Sequence, residues 1–296
     1  MTAIVDAHLH LWDPRARHHD WLAAHPSLQR RFGPDDLDAG RHEVTGAVFV
    51  QADCRDDEAM DEVRWVERLA EAYPFVSGIV AYAPLHRGRA AERHVARLAC
   101  RPLVVGVRRL LQGRPVAAIT APAFVRGVRT LSEWNLSFDL CVTHDQLPAA
   151  VELVRACPRT VFVLDHLGKP PVASGRAQAW RDDLRHLASY SNVTCKLSGL
   201  STEAAQGWRA SDARPYLEYG LEVFGPERCM IGSDWPVATL GTTVERWFDL
   251  VVAVIAELSA KDQAAVLRET AMATYDLVRP ELYVEGEDDA RRAVRR

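Results

Sequence analysis

The chain has 296 residues, a net charge of −4 and a hydrophobic share of 48%, values that are ordinary for a globular protein. The acidic balance, without a basic stripe interleaved with aromatics, argues against a nucleic-acid-binding protein. The longest apolar run, residues 250–256, is too short to span a bilayer. No signal peptide is expected either, so we predict a cytoplasmic protein without a membrane partner.

Eight apolar stretches rich in β-branched residues predict eight strands. In chain order they are residues 3–8, 46–51, 76–83, 104–110, 137–142, 160–165, 193–197 and 229–233. Segments with helical periodicity lie between most of them: residues 57–73, 89–99, 123–134, 147–156, 177–190, 216–224, 243–258 and 262–277. Continuously apolar strands that are each followed by a helix indicate a parallel sheet covered by helices.

Eight such units in under 300 residues predict a single (β/α)8 barrel, an α/β TIM barrel, over residues 1–280. The alternative is a doubly wound open sheet, which favours a glycine-rich loop after the first strand. Here that turn, residues 8–14, contains no glycine. Residues 14–42 form a long insertion that we expect to cover the barrel mouth or to carry part of a site. Residues 281–296 are predicted to be a charged tail.

The six cysteines, at positions 54, 100, 141, 157, 195 and 229, are scattered without a C-x-x-C pair. Several lie in apolar runs typical of strands. We therefore expect buried free thiols in a reducing compartment rather than disulfides or a thiolate metal site.

The first strand carries a histidine pair, His8 and His10, with Asp6 at the same spacing. Alternation with period two predicts that these three side chains share one face of the strand. Two imidazoles on one face can converge on a metal ion or on a polarised carbonyl oxygen. A pair of structural histidines is the alternative, and the rest of the chain has to decide between them.

Every other predicted strand also ends in a polar group, and in a barrel these ends meet at one mouth. The residues are Gln51 and Asp53, Tyr82, Arg108 and Arg109, Asp139 and His144, Asp165 and His166, Lys196, and Asp234. So many polar groups at one end predict a polar pocket. Asp139 and His144 are equally explained by turn and helix-cap duties. Because neighbouring strand residues alternate, only one arginine of the pair should face the lumen, and we prefer Arg108.

The motifs at residues 4–12, 50–52, 106–109, 165–170, 196–199 and 232–236 resemble the amidohydrolase superfamily. Specifically, they resemble its lactone-hydrolysing branch, which includes sugar-acid lactonases and 2-pyrone-4,6-dicarboxylate lactonase. The resemblance extends from residue 3 to about residue 275. It implies the same barrel fold and hydrolysis of a small polar lactone, such as L-fucono- or L-rhamnono-lactone, in carbohydrate breakdown.

The resemblance also implies roles. Asp234 matches the aspartate that activates water, and His8, His10 and His166 match the histidines around the scissile carbonyl oxygen or a metal. Members with two metals carry a bridging lysine or glutamate on the fourth strand, where this chain has Arg108 and Arg109. A two-metal centre is therefore not expected. The same four residues can hold one divalent ion, with zinc preferred, or the enzyme can work without metal.

In the predicted mechanism Asp234 takes a proton from the attacking water, and the histidines stabilise the developing oxyanion. Arg108, Arg109, Lys196, Gln51 and Tyr82 are predicted to bind the substrate. Asp165 is a candidate to orient His166. A metal-dependent decarboxylase or aminohydrolase of the same superfamily is the alternative function, and a non-catalytic binding protein is a second rival. The sequence gives no prediction of the oligomeric state.

Overall fold

The strands form one parallel sheet in sequence order. The computed structural model describes residues 3–277, so the predicted boundary at residue 280 and the charged tail lie outside the described residues. The strands are β1 (Ala3–Leu9), β2 (Glu43–Val50), β3 (Val76–Tyr82), β4 (Val104–Arg108), β5 (Ser137–Leu140), β6 (Phe162–Leu164), β7 (Val193–Leu197) and β8 (Cys229–Ile231). All eight predicted strands are confirmed, although β6 is shorter than its apolar run.

The sheet curves round until its first and last strands meet. A parallel bridge joins Leu9 to Trp235, and the amide of Asp234 donates to the carbonyl of His8 over 2.8 Å. This contact makes the sheet a nearly closed barrel, which confirms the predicted (β/α)8 fold.

Helices follow the strands and cover the outside of the barrel. They are α1 (Ala59–Ala72), α2 (Arg89–Ala99), α3 (Val116–Ile119), α4 (Pro122–Leu131), α5 (Leu147–Ala156), α6 (Gln178–Ala188), α7 (Leu200–Glu203), α8 (Ala210–Phe224), α9 (Val244–Ile255), α10 (Ala260–Ala264) and α11 (Thr270–Thr274). Their apolar faces pack on the strands in one continuous core. Among residues 3–277, no helix has the length and hydropathy required to cross a membrane.

The last helical segment closes the base of the barrel. The sequence predicts one helix over residues 262–277, but a π-helical turn at Ala265–Glu269 separates α10 from α11. After it, Ala271, Tyr275 and Leu277 pack against Val5 and Val48 in a second apolar cluster. The C-terminal segment thereby reaches the barrel interior from below.

Strand β1 does not keep the period of two that its sequence indicates. Its pairing with β2 shifts register between Asp6 and Leu9, as a β-bulge does. The prediction that Asp6 shares a face with both histidines is therefore wrong. Instead Asp6 Oδ1 accepts hydrogen bonds from the amides of His8 (3.0 Å) and Ser233 (2.8 Å), and so fastens β1 to β8.

The insertion at residues 14–42 lies at the carboxyl end of the strands. It forms three short 3-10 turns, Asp20–Ala24, Pro26–Leu28 and Pro34–Asp36. Phe32 exchanges two backbone hydrogen bonds with Trp12, and its ring packs edge-on against Trp235 at 5.5 Å. Because Trp12 and Trp235 follow β1 and β8, the insertion forms part of the wall at the barrel mouth.

Candidate active site

Four predicted side chains meet at the carboxyl ends of β1, β6 and β8. We call His8, His10, His166 and Asp234 the catalytic cluster; none is more than 5% exposed. His10 Nε2 lies 3.1 Å from His8 Nε2 and 3.4 Å from Asp234 Oδ1. The same carboxylate oxygen lies 3.7 Å from His8 Nε2 and 3.9 Å from His166 Nε2. The cluster thus directs three imidazole nitrogens at one carboxylate oxygen.

Two of these residues occupy left-handed backbone conformations. The φ angles of His166 and Asp234 are 55° and 58°, a region that residues with a Cβ seldom adopt. Such strain is typical of functional sites. Gly199 accommodates the turn, since a Cβ there would lie 2.4 Å from His166 Nδ1.

A partner behind each ring fixes its orientation. The His10 Nδ1–H donates to the carbonyl of Val50 over 2.7 Å, so its Nε2 lone pair faces the cluster. His166 Nδ1 lies 2.8 Å from Ser198 Oγ. His8 Nδ1 lies 3.2 Å from Asp165 Oδ1, an arrangement of histidine and carboxylate common behind metal-binding histidines.

The environment of His8 is compatible with two tautomers. If an ion were bound in the cluster, Nδ1–H would donate to Asp165 and Nε2 would be available as a ligand. Without an ion, Lys196 Nζ, which lies 3.1 Å from Nδ1, donates to that nitrogen, and Nε2–H donates to His10. Two bare nitrogens 3.1 Å apart repel each other, so either a proton or a cation has to lie between them.

The donor set fits a divalent metal ion. His8, His166 and Asp234 offer ligand atoms that all lie within 4.8 Å of one another. Imidazole nitrogens with a carboxylate oxygen are typical zinc ligands, and bonds of about 2.0–2.1 Å place tetrahedral ligand atoms about 3.3 Å apart. The distances of 3.1–3.9 Å in the cluster lie close to that value.

Burial controls the charges of the cluster. It lowers the pKa of His166 to about 4 and that of His8 well below the usual range, so both rings are neutral near pH 7. Burial alone would raise the pKa of Asp234, but the surrounding histidines outweigh it and hold this pKa below its ordinary value. The cluster therefore combines neutral donors with an ionised carboxylate.

A second group of polar side chains lies inside the barrel, beneath the cluster. This buried ion network consists of Arg108, Asp139, Asp165, Lys196 and Tyr275. Lys196 Nζ lies 2.5 Å from Asp139 Oδ2 and 3.1 Å from Asp165 Oδ1. Tyr275 Oη donates to Asp139 Oδ2 over 2.8 Å, and Arg108 Nη1 lies 3.4 Å from Asp165 Oδ2.

This network changes three expectations. Lys196 is fully buried with its ammonium between two aspartates, so a direct role in substrate binding does not fit its position. Arg108, predicted to bind the substrate, is only 5% exposed and donates to the carbonyl of Gln51 over 2.6 Å, so its guanidinium is already bonded within the protein. Asp165 contacts His8 rather than His166, because the left-handed turn after β6 separates the directions of the two side chains.

Three predicted substrate-binding residues lie nearer the mouth. Arg109 donates to Tyr82 Oη over 2.6 Å and lies 3.4 Å from Asp56. Gln51 is buried, and its Nε2 has no hydrogen-bond partner among residues 3–277. His144 begins a 3-10 turn, but the N-cap of that turn is Thr143, and the His144 Nδ1 atom lies 3.2 Å from the carbonyl oxygen of Lys169.

Sequence reasoning missed two residues that support the site. Ser198 belongs to the motif at residues 196–199, so the motif could have identified it as a residue of the site. No motif contains Tyr275, which lies near the end of the described chain and contacts Asp139 only in the folded structure.

Comparisons with known proteins agree with this arrangement. The amidohydrolase family model matches residues 5–277. The L-fucono-1,5-lactonase of Burkholderia multivorans is 35% identical over 298 residues, which covers 93% of this chain and 97% of the relative. The enzyme of the same name from Burkholderia ambifaria is also 35% identical, over 81% of this chain and 82% of its own length.

A solved structure adds a metal to the comparison. It is an amidohydrolase from Burkholderia multivorans with bound zinc, 33% identical, with a TM-score of 0.84. The match covers 94% of this chain and 100% of that one.

Proposed function

Because the chain belongs to the amidohydrolase family, we propose that it is a hydrolase that opens the lactone ring of a sugar-acid lactone. The observation that carries this proposal is the catalytic cluster, in which three imidazole nitrogens and one ionised carboxylate converge at the barrel mouth. The lactonases of Burkholderia support the choice of substrate class.

Asp234 is proposed to move the proton. Its Oδ1 faces the three histidines, which leaves Oδ2 to take a proton from water as the water oxygen attacks the carbonyl carbon. The ring carbon–oxygen bond then breaks, and the leaving alkoxide takes that proton from Asp234. The products are a hydroxy acid and the regenerated carboxylate.

The histidines are proposed to stabilise the charge on the carbonyl oxygen. The loss of one oxyanion donor typically costs about 10²–10³ in rate. An ion held by His8, His10, His166 and Asp234, with zinc preferred, would supply Lewis-acid polarisation of this carbonyl. Ser198 and Asp165 keep His166 and His8 in place for either role.

Gln51, Tyr82 and Arg109 are proposed to bind the hydroxyl groups of the substrate. Gln51 offers a buried N–H group that lacks a partner among the described residues, and a hydroxyl oxygen can satisfy it. Tyr82 and Arg109 are already joined to each other, which restricts both side chains before the substrate arrives.

The test is hydrolysis of five- and six-membered sugar-acid lactones by the purified protein, followed with a pH indicator. The spontaneous rate is subtracted, and each assay is repeated after exhaustive chelation and after zinc is restored. Turnover that survives chelation supports direct polarisation by the histidines, whereas turnover that zinc restores supports a bound ion.

No turnover on any lactone would contradict the proposed function. Release of carbon dioxide from an aromatic acid by the same preparation would instead favour the decarboxylase alternative.

The first substrate to examine is L-fucono-1,5-lactone, because two relatives are named as lactonases of this compound.

A further inference from the structure

Cys141 differs from the other buried cysteines in what surrounds it. The thiols of Cys157, Cys195 and Cys229 lie in the main apolar core, each within 3.9 Å of a backbone carbonyl oxygen. Cys141 directly follows β5 at the barrel mouth and is 2% exposed. Its electrostatic neighbours are Arg108, Asp165, Lys169 and Asp234. A thiol among charged groups at a catalytic mouth is not explained by apolar packing.

The thiol also belongs to a second group of potential ligands. Cys141, Asp165 and His166 each offer one ligand atom, and these atoms all lie within 4.8 Å of one another. Bonds of about 2.3 Å to sulfur and about 2.0 Å to nitrogen place tetrahedral ligand atoms about 3.5 Å apart. Ligand atoms at the 4.8 Å limit therefore have to approach each other by about 1.3 Å to close the group around an ion.

The available atoms fit this use. Asp165 Oδ1 lies within 3.2 Å of both Lys196 Nζ and His8 Nδ1, and among residues 3–277 Oδ2 is in contact with Arg108 Nη1 at 3.4 Å. Charge-assisted hydrogen bonds are usually about 2.7–2.9 Å long, so Oδ2 is the less tightly bound oxygen of this carboxylate. Arg108 would keep its shorter bond to the Gln51 carbonyl.

We propose that Cys141, Asp165 and His166 form a second metal position that captures thiophilic divalent cations and competes with the catalytic cluster for His166. Sulfur makes this position softer than the histidine–carboxylate cluster, so it prefers an ion such as Cd²⁺. On binding, a metal–sulfur bond forms and the thiol proton leaves to solvent.

The two positions exclude each other because they share one nitrogen. His166 Nδ1 is held by Ser198 Oγ, which leaves Nε2 as the ligand atom for either position. A nitrogen with one lone pair coordinates one ion. Capture at Cys141 therefore withdraws His166 from Asp234 and removes one of the three imidazoles from the cluster.

The experiment compares the full-length protein with Cys141→Ala and Cys157→Ala. Cys157 is an equally buried thiol outside the mouth and is the matched control. Each protein is freed of metal by chelation and titrated with Cd²⁺ alone, and sulfur-to-cadmium charge-transfer absorption is recorded. A parallel titration with Co²⁺ reports sulfur ligation in the near ultraviolet.

The exposed thiol of Cys100 is common to all three proteins, so the difference between their spectra is the readout. We expect the charge-transfer absorption of the wild type and of Cys157→Ala to exceed that of Cys141→Ala by the contribution of one thiolate. Equal absorption in all three proteins overturns the proposal. This readout requires no substrate, so it decides the proposal even if the lactonase assignment fails.

A second readout tests the competition, and it rests on the proposed function. If lactone hydrolysis is found, the Cd²⁺ concentration that halves each variant's own rate should rise at least about tenfold in Cys141→Ala. It should stay unchanged in Cys157→Ala. Equal sensitivity of all three proteins would contradict the competition for His166.

Discussion

The catalytic cluster and the buried ion network are neighbours of similar burial, yet their bonding differs. In the network each charged group has an opposite partner: Lys196 lies between Asp139 and Asp165, and Arg108 contacts Asp165. In the cluster three imidazole rings surround Asp234 and direct their Nε2 atoms at its Oδ1. Burial and polarity are common to both regions, so the convergence of imidazole nitrogens on one carboxylate oxygen distinguishes the region that we propose to be reactive.

The pKa values follow the same division. Burial raises the pKa of Asp139 to about 6 even though the Lys196 ammonium opposes that shift. Burial also disfavours the charged form of Lys196, but the two aspartates outweigh it and raise its pKa. The charged groups of the network therefore stabilise one another's ionised forms by pairing. We expect the network to stabilise the folded protein and to hold His8 in position.

The largest expected effect is on activity, from a change in the cluster. Asp234→Asn keeps the shape but cannot accept a proton, so kcat/KM for the lactone should fall by about 10²–10⁴. The thermal unfolding temperature should be unchanged or lower, because the lowered pKa of Asp234 shows that the fold favours the ionised carboxylate. Steady-state kinetics and thermal unfolding measure the two quantities.

The control for this variant is Asp249→Asn, at a partly exposed carboxylate paired with Arg41 and His42 outside the site. Its kinetics should match the wild type. Turnover near the wild-type rate in Asp234→Asn would remove this residue from the role of base.

A change in the buried ion network should mainly reduce stability, whereas a change in the catalytic cluster should mainly reduce activity. Lys196→Met leaves two buried aspartates without their ammonium, and the free energy of unfolding should fall by about 3–5 kcal/mol. Denaturant unfolding measures this loss. Lys261→Met, at an exposed lysine on α10, is the control and should change stability by less than about 0.5 kcal/mol. A stable Lys196→Met protein would contradict the distinction between the regions.

The smallest effect is expected from Tyr275→Phe, which removes one hydrogen bond to Asp139 without changing any charge. The free energy of unfolding should fall by about 1–2 kcal/mol, and kcat should change by less than about threefold. Tyr73→Phe, at the half-buried C-cap of α1, is the control. A large loss of kcat with intact stability would mean that the network and the cluster act as one unit.

The barrel was predictable because its signal is local and repeated. Eight apolar strands with helices between them require only hydrophobic periodicity, and strand ends in a parallel barrel meet at one mouth whatever the details of packing. The convergence of His8, His10, His166 and Asp234 follows from that geometry and from the motifs that contain them.

The uses of individual polar side chains were less predictable. Lys196 and Arg109 both lie at the ends of apolar strands, but one is fully buried between aspartates and the other lies at the mouth. Because β1 contains a bulge, the Asp6 side chain does not enter the site and instead accepts a hydrogen bond from the Ser233 amide beside β8. Cys141 has the same sequence signature as the core thiols.

The sequence by itself determined the architecture, because periodicity and strand order are properties of the chain, and the motifs in it singled out the four residues of the catalytic cluster. Only the tertiary structure decided which polar groups pair with one another and which keep free electron pairs. Pairing depends on angles and on distances of about 3 Å between residues far apart in sequence, and neither is encoded in local spacing.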